Sequence, residues 1–191
     1  MAKHLYIIAG PNGAGKTTAS MTILPKSLLV KEFVNADEIA KGLSPFNPEG
    51  VAIEAGRLML ERIQYLLANG ESFSIETTLA TRSYVNLVRQ AHGLGYIVHL
   101  IYFWLETPEL AVRRVAERVR KGGHDIPRDV VLRRYSKGIR NLFNLFIGEV
   151  DLWAIYDNSE YKRENIAVGG KNVPTLIIDN HKYNKIYASI N

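Results

Sequence analysis

A mainly parallel β-sheet flanked by helices on both faces, with a small C-terminal antiparallel hairpin at one edge, is the α/β architecture this sequence predicts. Three observations predict it. Short apolar runs alternate with helical patterns along most of the chain. Those runs are apolar nearly throughout rather than at every second position, as strands buried on both faces are. The C-terminal tail then breaks the alternation with two short strand-like runs around a glycine pair.

Each element has its own signal. Leu5–Ala9 is an apolar run ending at Gly10, read as a buried strand. A helix from Lys16 through Ala19, Met21 and Ile23 is expected to stop near Pro25. Leu28–Val34 gives a second strand. Pro48 opens a long helix with Ala52, Ala55, Met59, Ile63 and Leu66 on one face, closed by Asn69-Gly70, since glycine is favoured just past a helix end. Ser72–Glu76 is a third strand. A helix from about Ser83 to His92 ends at Gly93 and Gly95, and Tyr96–Leu105 is the most apolar strand. Thr107-Pro108 is a cap followed by proline in the first helical position, opening a helix with Val112, Val115, Ala116 and Val119 inward. Gly122-Gly123 breaks that helix, and Pro127 starts another that runs towards Phe146. Trp153–Tyr156 is a fifth strand; Ile166–Val168, Gly169-Gly170 and Thr175–Ile178 form the hairpin. No repeat or linker intervenes, so residues 1–191 read as a single domain with a basic segment at about 111–140.

Composition narrows the class. The chain is 47% hydrophobic and 23% charged, enough to bury a core. No apolar run approaches the ~18–20 residues that span a bilayer, and no signal-peptide pattern opens the chain, so a cytoplasmic location is expected. Without cysteine there is no disulfide framework, thiol nucleophile or Cys-based zinc site. The net charge of +5 is concentrated: ten lysines and arginines stand against three acidic residues between Ala111 and Arg140. Such a segment wants an anionic partner, either ligand phosphates or a nucleic-acid backbone; a solvated helix face is the plain alternative.

Residues Gly10, Pro11, Asn12, Gly13, Ala14, Gly15, Lys16 and Thr17 match G-x-x-x-x-G-K-[ST]. The match lies between an apolar strand and a helix, as a phosphate-binding P-loop must. Small residues let consecutive N–H groups wrap a phosphate, and the helix N-terminus adds partial positive charge. Lys16 is assigned to the β- and γ-phosphates of ATP and the Thr17 hydroxyl to Mg²⁺; Thr18 completes the nucleotide-binding set. An ABC-type signature and a guanine-reading Asn-Lys-x-Asp are both absent. A compact P-loop kinase remains.

The second and third strands end in carboxylates that face the ligand crevice of an open parallel sheet. Asp37 in Asn35-Ala36-Asp37-Glu38 is a base for an acceptor hydroxyl or a helix cap. Glu76 can hold a substrate hydroxyl or a Mg²⁺-bound water, and Thr78 can hydrogen-bond substrate; strand-end capping is the alternative for both. The basic segment reads as a lid, with Arg114 and Arg118 on one helix face, Gly122-Gly123 as hinge and Arg133 and Arg134 on the return helix.

Together, Gly10 to Thr18, Asn35 to Ala40 with Gly42-Leu43-Ser44-Pro45, Glu76-Thr77-Thr78, Arg118 to Pro127 with Arg133-Arg134-Tyr135, and Tyr156-Asp157-Asn158-Ser159 resemble zeta-toxin-like P-loop kinases, in particular their chromosomal bacterial branch. The resemblance covers about residues 4–180. Zeta toxins phosphorylate the 3′-hydroxyl of the amino sugar in UDP-N-acetylglucosamine, and an antitoxin helical bundle inhibits them. It implies Lys16 as cradle lysine, Asp37 as catalytic base and Glu76 with Thr78 as the substrate-contacting pair. It implies Arg118 or Arg120 as the first lid arginine, and His124 or Arg133/Arg134 in place of the second. The long helical extensions of plasmid toxins are missing. The expected function is an ATP- and Mg²⁺-dependent kinase acting on a hydroxyl of a small molecule such as a nucleotide sugar, with an antitoxin as candidate protein partner and no membrane. The alternatives are a nucleic-acid 5′-hydroxyl kinase and a non-catalytic nucleotide-dependent switch.

Overall fold

The computed structural model describes residues 2–27, 30–123, 125–160 and 162–190, with only the backbone given for 23–27. The chain runs β1 (Lys3–Ala9), α1 (Lys16–Ser27), β2 (Glu32–Val34), α2 (Ala36–Leu43), a 3₁₀ turn (Pro48–Val51) into α3 (Ala52–Ala68), then β3 (Phe73–Thr77) and α4 (Tyr84–Gly93). It continues through β4 (Tyr96–Trp104), α5 (Pro108–Arg120), α6 (Arg128–Asn141) with a closing π-turn (Leu142–Phe146), β5 (Leu152–Asp157), β6 (Glu164–Gly170), β7 (Val173–Ile177) and α7 (Asn180–Ala188). Among the described residues the strands form one seven-stranded sheet, ordered β2-β3-β1-β4-β5-β6-β7. The strands from β2 to β5 are parallel, and β6 and β7 are antiparallel. The expected mainly parallel sheet with its antiparallel C-terminal hairpin is what is found.

One face of the sheet carries a large part of the core. Leu5, Ile7, Phe73, Ile75, Val98 and Tyr102 are fully buried there. The Tyr96 hydroxyl on this face donates to the Leu66 carbonyl of α3. Helix α1 packs against β1 and β3. Among the described residues, no helix is long and apolar enough to cross a membrane.

Several boundaries depart from the pattern-based expectation. Helix α1 continues through Pro25 to Ser27. Pro25 lacks the N–H that would bond to the Met21 carbonyl, a loss that falls in the last turn of the helix. Strand β2 is only Glu32–Val34; the expected Leu28 and Leu29 lie outside the described residues, as does His124. Helix α2 begins at Ala36 with Asn35 as its cap, the Oδ1 accepting from the N–H groups of Asp37 and Glu38. Asp37 is therefore not the cap. In α3 Ala52 is exposed, as the first residue of the helix directly after the 3₁₀ turn. In α5 the buried residues are Ala111 and Val115, while Ala116 is exposed. The glycine pair Gly169-Gly170 is not the hairpin turn but the end of β6. Gly169 gives room to the Trp153 ring, which a Cβ would approach to 2.6 Å.

Helix α6 carries a glycine for packing rather than flexibility. A Cβ at Gly138 would stand 2.5 Å from the Thr78 carbonyl oxygen. Gly56 in α3 has nothing within 4 Å of the same position. Gly56→Ala should therefore stabilise the protein by up to ~1 kcal/mol, the helix-propensity gain. Gly138→Ala should destabilise it by about 1–3 kcal/mol through backbone overpacking. Urea unfolding of both variants checks this, and the reverse ranking would show that α6 does not press on the turn after β3.

Candidate active site

The carboxyl ends of the parallel strands meet the loop between β1 and α1. Strand β3 lies beside β1 in a register that pairs Ile8 with Glu76 and Ala9 with Thr77. Glu76 is thereby delivered to the start of α1. The Thr17 hydroxyl donates to the Glu76 carboxylate, 2.9 Å from Oε2 and 3.1 Å from Oε1. Lys16, only 6% exposed, donates from Nζ to the Pro11 carbonyl at 3.0 Å and stands 3.8 Å from Glu76 Oε1. Burial pushes the Lys16 ammonium below its ordinary value, and the charges of Glu76 and Asp37 push back. Burial raises the Glu76 carboxyl, while Lys16 and the Thr17 hydroxyl pull it down. Each partner thus helps keep the other charged in a site that disfavours both charges.

Two adjoining clefts open from this pair. One, of about 210 Å³, is lined by the loop together with Thr17, Thr18, Asp37, Arg114 and Arg118. The other, of about 200 Å³, shares Asn12, Lys16, Asp37 and Glu76 and adds Thr78 and Arg134. Tyr84 and Met59 also line this second cleft. Because Asn35 supplies the cap of α2, the Asp37 carboxylate is left to face both clefts.

The turn that carries Thr78 is held in a conformation its residues do not favour. Leu79 has φ 57, the left-handed region that a leucine seldom enters. Its N–H donates to the Thr77 hydroxyl at 3.1 Å, and its carbonyl accepts from Asn141 of α6 at 2.7 Å. With Gly138 against the Thr78 carbonyl, α6 fixes the far wall of the second cleft. It also brings in Arg134.

The arginines of the basic segment divide. Arg118 lines the first cleft and Arg134 the second. Arg120 and Arg133 are exposed and line neither. Arg114 also lines the first cleft, yet its guanidinium is fixed, donating to the Asn158 carbonyl at 2.7 Å and the Ser159 carbonyl at 2.6 Å. Sequence reasoning assigned no role to Asn158. The Asp-Asn-Ser string after β5 was the available signal, but nothing in a linear pattern says that it returns to the phosphate loop.

The arrangement fits a nucleotide triphosphate. The first turn of α1 presents N–H groups with no intrahelical acceptor, beside a buried lysine. The Thr17 hydroxyl and the Glu76 carboxylate, directly or through water, are hard oxygen donors of the kind Mg²⁺ takes. Among the described residues no cluster of three or more His, Cys, Asp or Glu could hold a metal by itself. A divalent ion here would depend on phosphate oxygens and water for most of its ligands.

Comparison with known proteins gives the family and the fold. The family model described as an AAA domain matches residues 5–138. An uncharacterised protein of Haemophilus influenzae is 32% identical over 135 residues, 71% of this chain and 94% of that one. Among solved structures, the AvrRxo1-ORF1:-ORF2 complex with ATP superposes with a TM-score of 0.77 at 19% identity, covering 97% of this chain; this chain spans 63% of that one. A structure of the PezAT chromosomal toxin–antitoxin system of Streptococcus pneumoniae gives 0.67 at 16% identity, with 98% and 84% covered. A gluconokinase from Sinorhizobium meliloti gives 0.53 at 14% identity, with 98% and 91% covered. At such identities the structural likeness is one of fold, and the fold is P-loop kinase-like. The family match over residues 5–138 goes further: the chain belongs to the AAA_33 family of P-loop domains.

Proposed function

We propose that the protein is an ATP-dependent kinase that transfers a phosphoryl group to a hydroxyl of a small acceptor, in the first instance a nucleotide sugar such as UDP-N-acetylglucosamine. The observation that carries this reading is the position of Asp37. Its carboxylate is released from capping and borders both the cleft along the phosphate loop and the cleft beside Thr78 and Arg134. A base between a donor site and an acceptor site is what phosphoryl transfer to an alcohol requires.

In this scheme ATP lies along the loop with its γ-phosphate between Lys16 and Arg118. The acceptor hydroxyl sits in the second cleft, oriented by Glu76 and Thr78. Asp37 takes the hydroxyl proton as the oxygen forms its bond to the γ-phosphorus, the bond to the β-phosphate oxygen breaks, and ADP leaves. Lys16 and Arg118 stabilise charge that spreads over the transferred group, and Arg134 offers a cation to an anionic acceptor. Mg²⁺, held by Thr17 and by Glu76 through water, would neutralise the β- and γ-phosphates. The PezAT toxin–antitoxin system among the fold neighbours and the sequence resemblance support an antitoxin as protein partner.

Incubation with labelled ATP and a panel of nucleotide sugars, with mass spectrometry of the products, tests the acceptor. Adding single-stranded oligonucleotides to the panel tests the nucleic-acid alternative, because polyanion binding weakens steeply with salt and small-molecule transfer does not.

Two substitutions separate binding from chemistry. Lys16→Met keeps the buried volume but removes hydrogen bonds to charged oxygens, each worth about 1.5–3 kcal/mol. ATP affinity should fall roughly 10- to 150-fold by titration calorimetry, and unchanged affinity would rule out the loop as the nucleotide site. Asp37→Asn leaves the Asn35 cap intact, so unfolding midpoints should not move. Transfer should drop about 10²–10⁴-fold, the scale of general-base removal, with ATP affinity retained. Undiminished transfer in this variant would pass the base role to Glu76.

A further inference from the structure

The phosphate loop contains a peptide, between Ala14 and Gly15, whose orientation those two residues do not determine. Gly15 has φ +73, a conformation glycine adopts as readily as its mirror. A flip of the Ala14–Gly15 peptide changes only the Ala14 ψ and the Gly15 φ, so Gly15 offers it little resistance. In a planar trans peptide the Ala14 carbonyl and the Gly15 N–H point in opposite directions. Whatever holds the carbonyl outward therefore aims the N–H inward.

The carbonyl is held by a residue far away in sequence. Asn158 donates from Nδ2 to the Ala14 oxygen at 2.7 Å. The contact is close enough that a Cβ on Gly15 would come within 2.9 Å of that nitrogen. Asn158 does not line the first cleft, whereas Gly13, Gly15 and Lys16 do. The asparagine is itself clamped. Its N–H donates to the Trp104 carbonyl at 2.9 Å, and Arg114 grips its carbonyl and that of Ser159. Ser159 is fixed in turn by its N–H to Asp157 Oδ1 at 2.8 Å and by the Glu106 N–H on its hydroxyl at 2.7 Å. The first turn of α5 closes the other side, since a Cβ on Gly13 would meet the Ala111 carbonyl at 2.9 Å.

We propose that Asn158, clamped by Arg114, is a positioning residue that latches the Ala14–Gly15 peptide with its N–H facing the phosphate site. The proposal rests on the nucleotide-binding reading for its purpose, but the latch itself is a property of the free protein. Without the amide donor, the flipped peptide would turn a carbonyl oxygen towards the phosphates, and binding would have to restore the orientation first.

The test uses the full chain labelled with ¹⁵N-glycine, together with Asn158→Leu, which keeps the size but cannot donate, and Asn158→Ser, which is too short to reach. The unaltered protein should show a single Gly15 amide resonance that moves when ATP is added. Both variants should show a doubled or exchange-broadened Gly15 resonance, and ATP affinity about tenfold weaker. A purely structural role for Asn158 would lower the unfolding midpoint without splitting Gly15. Single, unshifted Gly15 resonances and unaltered ATP affinity in both variants would overturn the latch. If neither variant folds, the unaltered protein labelled with ¹⁵N-asparagine decides: the Asn158 side-chain amide protons should exchange slowly with solvent, and fast exchange would overturn the proposal. If ATP moves no resonance of the unaltered protein, the nucleotide-binding reading fails, while the splitting of Gly15 still tests the latch.

Discussion

A buried ammonium group must be given partners, and the active end of this sheet is organised around that need. Lys16 is 6% exposed; left alone, its charge would cost several kcal/mol. It receives the Pro11 carbonyl and the Glu76 carboxylate. Glu76 can be there only because β3 lies beside β1, parallel and in the register that sets Ile8 against Glu76. Thr17 shares the same carboxylate. The strand order, the phosphate loop and the first turn of α1 therefore depend on one another. At 3.8 Å the ion pair is loose enough to leave part of the lysine's donor capacity for a phosphate.

The basic segment does two kinds of work. Arg114 is spent on structure, tying α5 to the loop after β5. Arg118 and Arg134 border the two clefts from different helices, so the cations reach the site from both sides of the Gly122-Gly123 break. The C-terminal helix α7 braces the same region with long polar side chains. Lys182 pairs with Asp157 at 2.8 Å, and Lys185 with Glu106 at 2.6 Å. Asp157 and Glu106 are the residues that fix Ser159, so α7 and Arg114 stabilise one connected loop structure behind the phosphate site.

Much of this was legible in the sequence, and the reasons are physical. Buried parallel strands are continuous apolar runs, so β1, β4 and β5 could be read within a residue or two. A P-loop is a local structure, which is why Gly10–Thr17 could be recognised without a fold. Strand-end carboxylates could be placed near the crevice because topology puts every parallel strand's carboxyl end on one side. Partnership between distant segments left no such trace. Helix α7 buries only Ile186 fully and sets Tyr183 and Tyr187 edge-on against Phe143; that stripe is short and half polar, and the rest of its attachment is through lysines. Asn35 and Asp37 are both good caps, and only the structure shows that Asn35 takes the cap and leaves Asp37 facing the clefts. A basic run says nothing about which arginines turn inward, and Arg120 and Arg133 are exposed while Arg118 and Arg134 border the clefts.

The central claim is that the loop around Lys16 is built to hold the terminal phosphates of a nucleotide. A calorimetric titration series with AMP, ADP and ATP at fixed Mg²⁺ addresses it most directly. If Lys16 and the first turn of α1 engage the β- and γ-phosphates, affinity should rise at least tenfold from AMP to ADP and be retained or increased with ATP. Equal affinity for all three nucleotides, or binding to none, would contradict the account.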